Sequence, residues 1–324
     1  MEKIDDEELF DKFIEDLKIQ DKTKKTIENY GSCVKDYLSW LHQHAYISTD
    51  VQGRKGNDIL REYLTYLRKK QKNKSGETLS HARIKIYFSA LNSFYDFLLF
   101  EGYVETTNVL AVRRRYLKKY KNGYTPANRQ FISVEEMSRF LKGIFNLQDK
   151  TIAVVFVKTG VRKGELIAMD VDDIDFEERT ITIKNRNLRK REDSNCVVLF
   201  DEECAQILKL WLQRRETIAK DGEKALFLNE YGQRMNKHGP YNAIVYWAKR
   251  AGLHNPRKSN LSEKFGCHCL RHCWTTYLLD NKMYEPYVEW LRGDSPGKSI
   301  DKYKHFRVDK VRGEYDKAIP RFGL

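Results

Sequence analysis

Apolar residues in the first hundred positions recur with a period close to 3.6, and that period limits what the segment can become. Phe10, Phe13, Ile14 and Leu17 fall at i, i+3, i+4 and i+7. The same spacing joins Ile27, Tyr30, Val34, Tyr37, Leu38 and Leu41, and then Leu60, Tyr63, Leu64 and Leu67. Ile84, Tyr87, Phe88, Leu91, Phe94, Tyr95 and Leu98 make the longest stripe. Each stripe lies along one side of a helix and has to be buried against another. Residues 1–112 are therefore expected to form an all-helical bundle. Asn57 or Asp58 is expected to cap its third helix and Gly102 to stop its fourth.

The pattern breaks at residues 113–129. Arg113, Arg114, Arg115, Lys118, Lys119 and Lys121 follow with no acid among them, and then come Gly123 and Pro126. This reads as a basic linker. A solvated tether and a clamp that closes around DNA both fit it, and we favour the clamp. Charge over the whole chain points the same way. The 59 Lys and Arg exceed the 46 Asp and Glu, for a formal net charge of +13. The usual partners of such an excess are nucleic acid and anionic membrane surfaces. No apolar run approaches the ~20 residues that span a bilayer. The acidic start, MEKIDDEELF, lacks the layout of a secretory signal. Six cysteines in a chain this long are too few for a disulfide framework. The expectation is an intracellular, cytoplasmic protein associated with the nucleoid, with no membrane partner.

Residues 130–324 read as a second domain of mixed class. Ser133 followed by Glu136 is a capping-box signal. A helix is expected over Thr151–Lys158, stopped by Gly160. Short strands are expected at Asp170–Asp175, Arg179–Ile183 and Cys196–Phe200, making a small antiparallel sheet. The tip between the last two, Lys184 to Arg191, holds five basic residues and no acid. Helices resume at Glu202–Arg215, Tyr241–Ala251 and Cys269–Leu279. Val308, Val311, Tyr315 and Ile319 have helical spacing. That last helix can dock on a neighbour in a ring or fold onto its own domain. The expected fold is mainly α: a helical bundle followed by a mixed α/β domain with a small antiparallel sheet.

Four features of the second domain carry chemistry. Arg162 follows Gly160 at a turn between helices, within Gly160-Val161-Arg162-Lys163-Gly164-Glu165-Leu166. The hairpin tip is basic. His268 and Arg271 are three apart in His268-Cys269-Leu270-Arg271-His272 and so share a helix face. Tyr303 stands near the end, in Asp301-Lys302-Tyr303-Lys304-His305. Each is weak alone; their order and spacing carry the signal. Cys267, Cys269, Cys273, His268 and His272 are also metal-ligand types. A zinc site needs about four converging ligands, and no second CxxC or HxxxH cluster appears. We read the cysteines as small core hydrophobes, with no metal and no cofactor.

An arginine, a lysine-bearing hairpin, His-x-x-Arg and a late tyrosine, in that order, resemble the tyrosine recombinases of the phage-integrase class. The resemblance runs over nearly the whole chain, and the departure at Asp294 resembles some archaeal-type integrases. It implies a helical core-binding domain (1–112), the linker (113–129) and a catalytic domain (130–324). It implies that Arg162 and Arg271 hold a scissile phosphate, that His268 opens the His-x-x-Arg motif, and that Tyr303 is the nucleophile. The hairpin lysine is Lys184 or Lys190, and we take Lys184. The family usually has a His or Trp nine residues before the tyrosine, and here that position is Asp294. An ionised carboxylate cannot donate to phosphate. Either His305 or Trp290 takes over that role, or Asp294 holds an arginine in place.

The implied chemistry suits these residues. A phenol has a pKa near ~10, so Tyr303 must lose its proton as it attacks phosphorus. Two always-charged planar guanidiniums suit the negative charge that grows on the non-bridging oxygens. The 5′-hydroxyl leaving group needs a proton, for which the hairpin lysine is the natural donor. The 3′-phosphotyrosyl product conserves the bond energy, so rejoining needs no ATP. Double-stranded DNA is the implied partner, with a homotetramer at synapsis. The alternatives are a DNA-binding protein of this fold with impaired catalysis, and a type IB-like topoisomerase.

Overall fold

A computed structural model describes residues 5–70, 78–118, 130–184, 197–257, 263–293 and 306–324. The chain divides into two compact units, Met1–Tyr124 and Thr125–Leu324.

The first unit is helical. Its elements are α1 (Asp6–Ile19), α2 (Lys24–Gln43), α3 (Gly53–Lys69), α4 (His81–Phe100) and α5 (Val109–Tyr116). The apolar stripes read from the sequence are its core, with Phe13, Val34, Tyr37, Leu60, Tyr63, Phe88, Leu91 and Phe94 fully buried. Aromatic edges lock the layers: Phe13 meets Phe94 at 5.3 Å and Tyr37 meets Tyr63 at 4.7 Å between ring centroids. Thr23 and Ser80 cap α2 and α4 through their hydroxyls, which accept from the amides of Thr26 and Arg83. Two boundaries differ from expectation. Helix α3 begins at Gly53, upstream of Asn57 and Asp58, because the Gly56 amide already bonds the Gln52 carbonyl at 2.8 Å. Arg113, Arg114 and Arg115 belong to α5, because Val109 and Val112 bury one side of it in the bundle. Residues 119–129 of the basic segment lie outside the described residues.

The second unit is built around α7 (Leu147–Thr159), which is buried from Thr151 to its end. It is flanked by α6 (Val134–Lys142) and α8 (Lys163–Ala168), followed by a three-stranded sheet. Strands β1 (Ile174–Asp175), β2 (Thr180–Thr182) and β3 (Val197–Leu199) pair antiparallel in sequence order, with Ile181 opposite both Ile174 and Val198. Then come α9 (Glu202–Glu216), α10 (Gly239–Arg250), α11 (Cys267–Asp280), α12 (Glu285–Arg292) and α13 (Val308–Ala318). The Ser133–Glu136 capping box forms as expected: the Ser133 amide donates to Glu136 at 2.8 Å and the Glu136 amide to Ser133 at 3.2 Å. The first expected strand is shorter than read. Val171–Asp173 is a 3₁₀ turn, because the Asp173 carboxylate accepts from the Asp170 amide at 2.8 Å and turns the chain there. Helix α13 folds onto its own unit. Val311 and Tyr315 are fully buried beside Trp274, Leu278, Val288 and Leu291. No helix among the described residues is long and apolar enough to cross a membrane.

Candidate active site

The site assembles where helices end. The C-terminal carbonyls of a helix have no partner within it, and their dipoles attract cations. Two such ends meet at Arg271. Helix α7 stops at Gly160, whose φ of +63° lies in the left-handed region. Helix α12 stops at Gly293, with φ of +62°. One terminal nitrogen of Arg271 donates to the Gly160 carbonyl, and the other donates to the Arg292 carbonyl at 2.8 Å. The side chain, on α11, is 8% exposed. These two anchors fix the plane of the guanidinium.

Arg162 reaches the same corner. It stands just before α8, and its backbone amide donates to Glu165 Oε2 at 2.7 Å. Its Nη1 donates to Glu165 Oε1 at 2.9 Å, and its Nη2 to the Gly293 carbonyl at 3.4 Å. Glu165 is nearly buried while Arg162 is half-exposed. One carboxylate thus holds both the backbone and the side chain of Arg162. The two arginines, 109 positions apart in sequence, end on the consecutive carbonyls of Arg292 and Gly293.

The turn that carries them is shaped by Trp274, three residues after Arg271 on α11. A Cβ at Gly160 would sit 2.3 Å from the Trp274 ring, so only glycine fits there. Helix α11 therefore supplies both a guanidinium and the wall that sets its acceptor.

The other expected residues are distributed unevenly. His268 is exposed, one turn before Arg271. Lys184 follows β2 and its Nζ binds Asp170 at 2.6 Å and Asp173 at 2.8 Å. The hydrogen bonds it donates to these two carboxylates push its pKa up, Asp170 first. Arg234 completes the cluster, pairing with Asp170 and donating to the Ile167 carbonyl at 2.9 Å. Asp294, Tyr303, Lys190 and His305 lie outside the described residues. The cysteines of α11 are buried, and burial pushes the Cys267 thiol up to about 12 and the Cys273 thiol to about 11. Among the described residues no group of three or more His, Cys, Asp or Glu is placed to hold a metal ion.

Sequence reasoning assigned no role to Glu165 or Trp274. Signals were present: Glu165 is three residues after Arg162, the capping-box spacing, and Trp274 is three after Arg271.

Comparison with known proteins decides the lineage. Residues 130–309 match the phage integrase family, and residues 9–103 match the N-terminal SAM-like domain of phage integrases. The chain belongs to the phage integrase family. The tyrosine recombinase XerC of Histophilus somni (strain 2336) is 24% identical over 249 residues, covering 76% of this chain and 77% of that protein. The tyrosine recombinase XerC of Thermodesulfovibrio yellowstonii is 25% identical over 238 residues, covering 72% of this chain and 74% of the relative. Among solved structures, the Tn1549 transposon integrase in complex with circular intermediate DNA aligns with a TM-score of 0.64. It is 18% identical, and the match covers 94% of this chain and 98% of that one. A lambda integrase dimer bound to a COC′ core site aligns with a TM-score of 0.60 at 13% identity, covering 93% and 97%. These likenesses establish the integrase fold, a helical unit followed by a mixed unit with a small sheet. As a phage integrase family member, the chain is a tyrosine recombinase, as its motifs implied.

Proposed function

We propose that this integrase cleaves and rejoins double-stranded DNA at specific sites through a 3′-phosphotyrosyl intermediate. Tyr303 is the nucleophile. Arg162 and Arg271 bind the non-bridging oxygens of the scissile phosphate, His268 assists proton transfer, and Lys184 protonates the 5′-oxygen that leaves. Asp294 stands where the family places a His or Trp. The convergence of Arg162 and Arg271 on consecutive carbonyls carries this reading. Donors fixed in advance and aimed at developing charge are worth about 3–4 kcal/mol each. Two such forks supply several orders of magnitude by charge alone. Glu165 orients the first fork and helix-end carbonyls orient the second, so little reorganisation remains when phosphate arrives.

DNA as partner is supported by the net charge of +13 and by relatives solved on DNA. Phosphate contacts then supply much of the affinity. Exchange between two duplexes calls for four protomers, a homotetramer at synapsis. A cytoplasmic protein at the nucleoid follows from that substrate. The test uses a nicked duplex recovered from a randomised pool by covalent capture on the wild-type protein. Tyr303→Phe should bind that duplex with unchanged affinity and form no detergent-resistant adduct. An adduct formed by the variant assigns the nucleophile elsewhere.

A further inference from the structure

Among the described residues, Lys158 is the most deeply buried charge of the second unit. Its side chain is 0% exposed, on the last turn of α7, two residues before Gly160. Its ammonium is saturated: it binds Asp201 at 2.5 Å, Glu203 at 2.7 Å and the Pro320 carbonyl at 2.7 Å. It also lies 4.6 Å from the centre of the Phe322 ring. Its own carbonyl accepts from the Tyr315 hydroxyl of α13 at 2.7 Å. Glu203 reaches onward, accepting from the amides of Phe322, Gly323 and Leu324. Lys158 therefore ties the end of α7 to the start of α9 and to the segment after α13 through its side chain, and to α13 itself through its carbonyl.

Such a group is a poor way to gain stability. A buried ion pair is often no better than apolar residues of the same volume, because desolvation offsets the attraction. A buried charge with a full set of directional partners does fix position. Here it fixes the turn whose carbonyl orients Arg271. We propose that Lys158 is a positioning residue of the recombination reaction, acting through Gly160 on Arg271, with Asp201 and Glu203 as its counter-anchors. This rests on the reading of Arg271 as a phosphate ligand. The link is short. The amide of Gly160 bonds the Phe156 carbonyl at 3.0 Å, and the Thr159 hydroxyl bonds the Val155 carbonyl at 2.6 Å. A shift of Lys158 is therefore passed to the turn as a rigid displacement of the last helical turn.

The experiment compares wild type, Lys158→Met, Arg271→Ala and the double variant on the captured nicked duplex, in single turnover. A misplacement of about 1 Å costs catalysis on the order of 10²-fold. Lys158→Met should slow adduct formation by about 10–100-fold while DNA affinity stays within about twofold. The double variant should be no slower than Arg271→Ala alone. Wild-type cleavage by Lys158→Met overturns the proposal, and so do losses that multiply in the double variant. If Lys158→Met does not fold, Glu203→Gln carries the same comparison, since its amide oxygen still accepts from the Phe322–Leu324 amides. Should Arg271→Ala cleave like wild type, the reading of Arg271 fails, and amide hydrogen exchange of Thr159–Val161 decides the remainder. Faster exchange in Lys158→Met keeps the hold on the turn; unchanged exchange removes it.

Discussion

Gly160→Ala is the sharpest probe of the corner where the arginines meet. Two costs add. A non-glycine residue at φ of +63° is strained by about 1–2 kcal/mol. The new methyl would lie 2.3, 2.6 and 2.7 Å from three atoms of the Trp274 ring. Trp274 is 1% exposed and packed among Leu199, Leu278 and Val311, so it cannot swing aside. Overpacking of this kind costs about 1–3 kcal/mol. The sum is roughly 2–5 kcal/mol, a large share of the 5–15 kcal/mol that holds a typical domain folded. Any relief must come from moving the turn, and moving it takes the Gly160 carbonyl away from Arg271. Urea denaturation read by near-UV circular dichroism gives the stability, and adduct formation gives the chemistry. Cleavage should fall by about 10²-fold or more in molecules that remain folded. Trp274→Leu in the same chain should recover the packing part but not the backbone part. A Gly160→Ala protein with the wild-type midpoint and rate would refute the contact on which the site's description rests.

Two further outcomes follow from the charges. Burial raises the pKa of Glu203, but Lys158 and the amides of Phe322 and Leu324 outweigh it and hold the carboxylate below its ordinary range. A depressed folded-state pKa contributes stability above the unfolded value of about 4.3–4.5 and loses it as pH falls through the folded value. The urea midpoint should therefore drop on acidification below about pH 5, with a shallower slope in Glu203→Gln. Asp149, raised by burial, works in the opposite sense and makes its own residue a control. Arg271→Lys should not substitute for arginine: one ammonium cannot reach the Gly160 and Arg292 carbonyls as a planar fork does. Its adduct formation should resemble that of Arg271→Ala, and wild-type rates would show that fork geometry is irrelevant.

Much of the fold was legible because burial writes itself into spacing. The stripes Phe10–Leu17, Ile27–Leu41, Leu60–Leu67 and Ile84–Leu98 give α1 to α4 directly, since a residue facing a core must recur every 3.6 positions. The Ser133–Glu136 box marked α6 for the same kind of reason: one local hydrogen-bond pair sets it. Tertiary information was less legible. Asp170 to Asp175 reads as a short strand, yet the Asp173 carboxylate turns its first half. Arg113–Arg115 read as linker because charge hides the single buried side, Val109 and Val112, of a short helix. At the site, the order Arg162, His268, Arg271 was visible, but its anchors were not. Backbone carbonyls of Gly160, Arg292 and Gly293 leave no trace in residue identity. Lys158 was invisible as well: a lysine ending an apolar helix looks like a solvated cap, and only the fold brings Asp201, Glu203 and Pro320 to it.

The location of the site at helix ends has a consequence for its substitutions. Arg271 shares α11 with Leu270, Cys273, Trp274, Tyr277 and Leu278, all buried. It leans on the last carbonyls of α7 and α12, helices whose own apolar sides fill the core of the unit. The parts that orient the two arginines are thus the same parts that keep the unit folded. A loss of cleavage at Gly160, Trp274 or Lys158 accordingly says nothing by itself about chemistry. What separates the two contributions is coupling. A residue that acts through Arg271 loses its effect once Arg271 is gone, whereas a residue that only stabilises the core keeps its effect in either background. The helix-end design makes that cycle, rather than any single substitution, the measure of which side chains belong to the reaction.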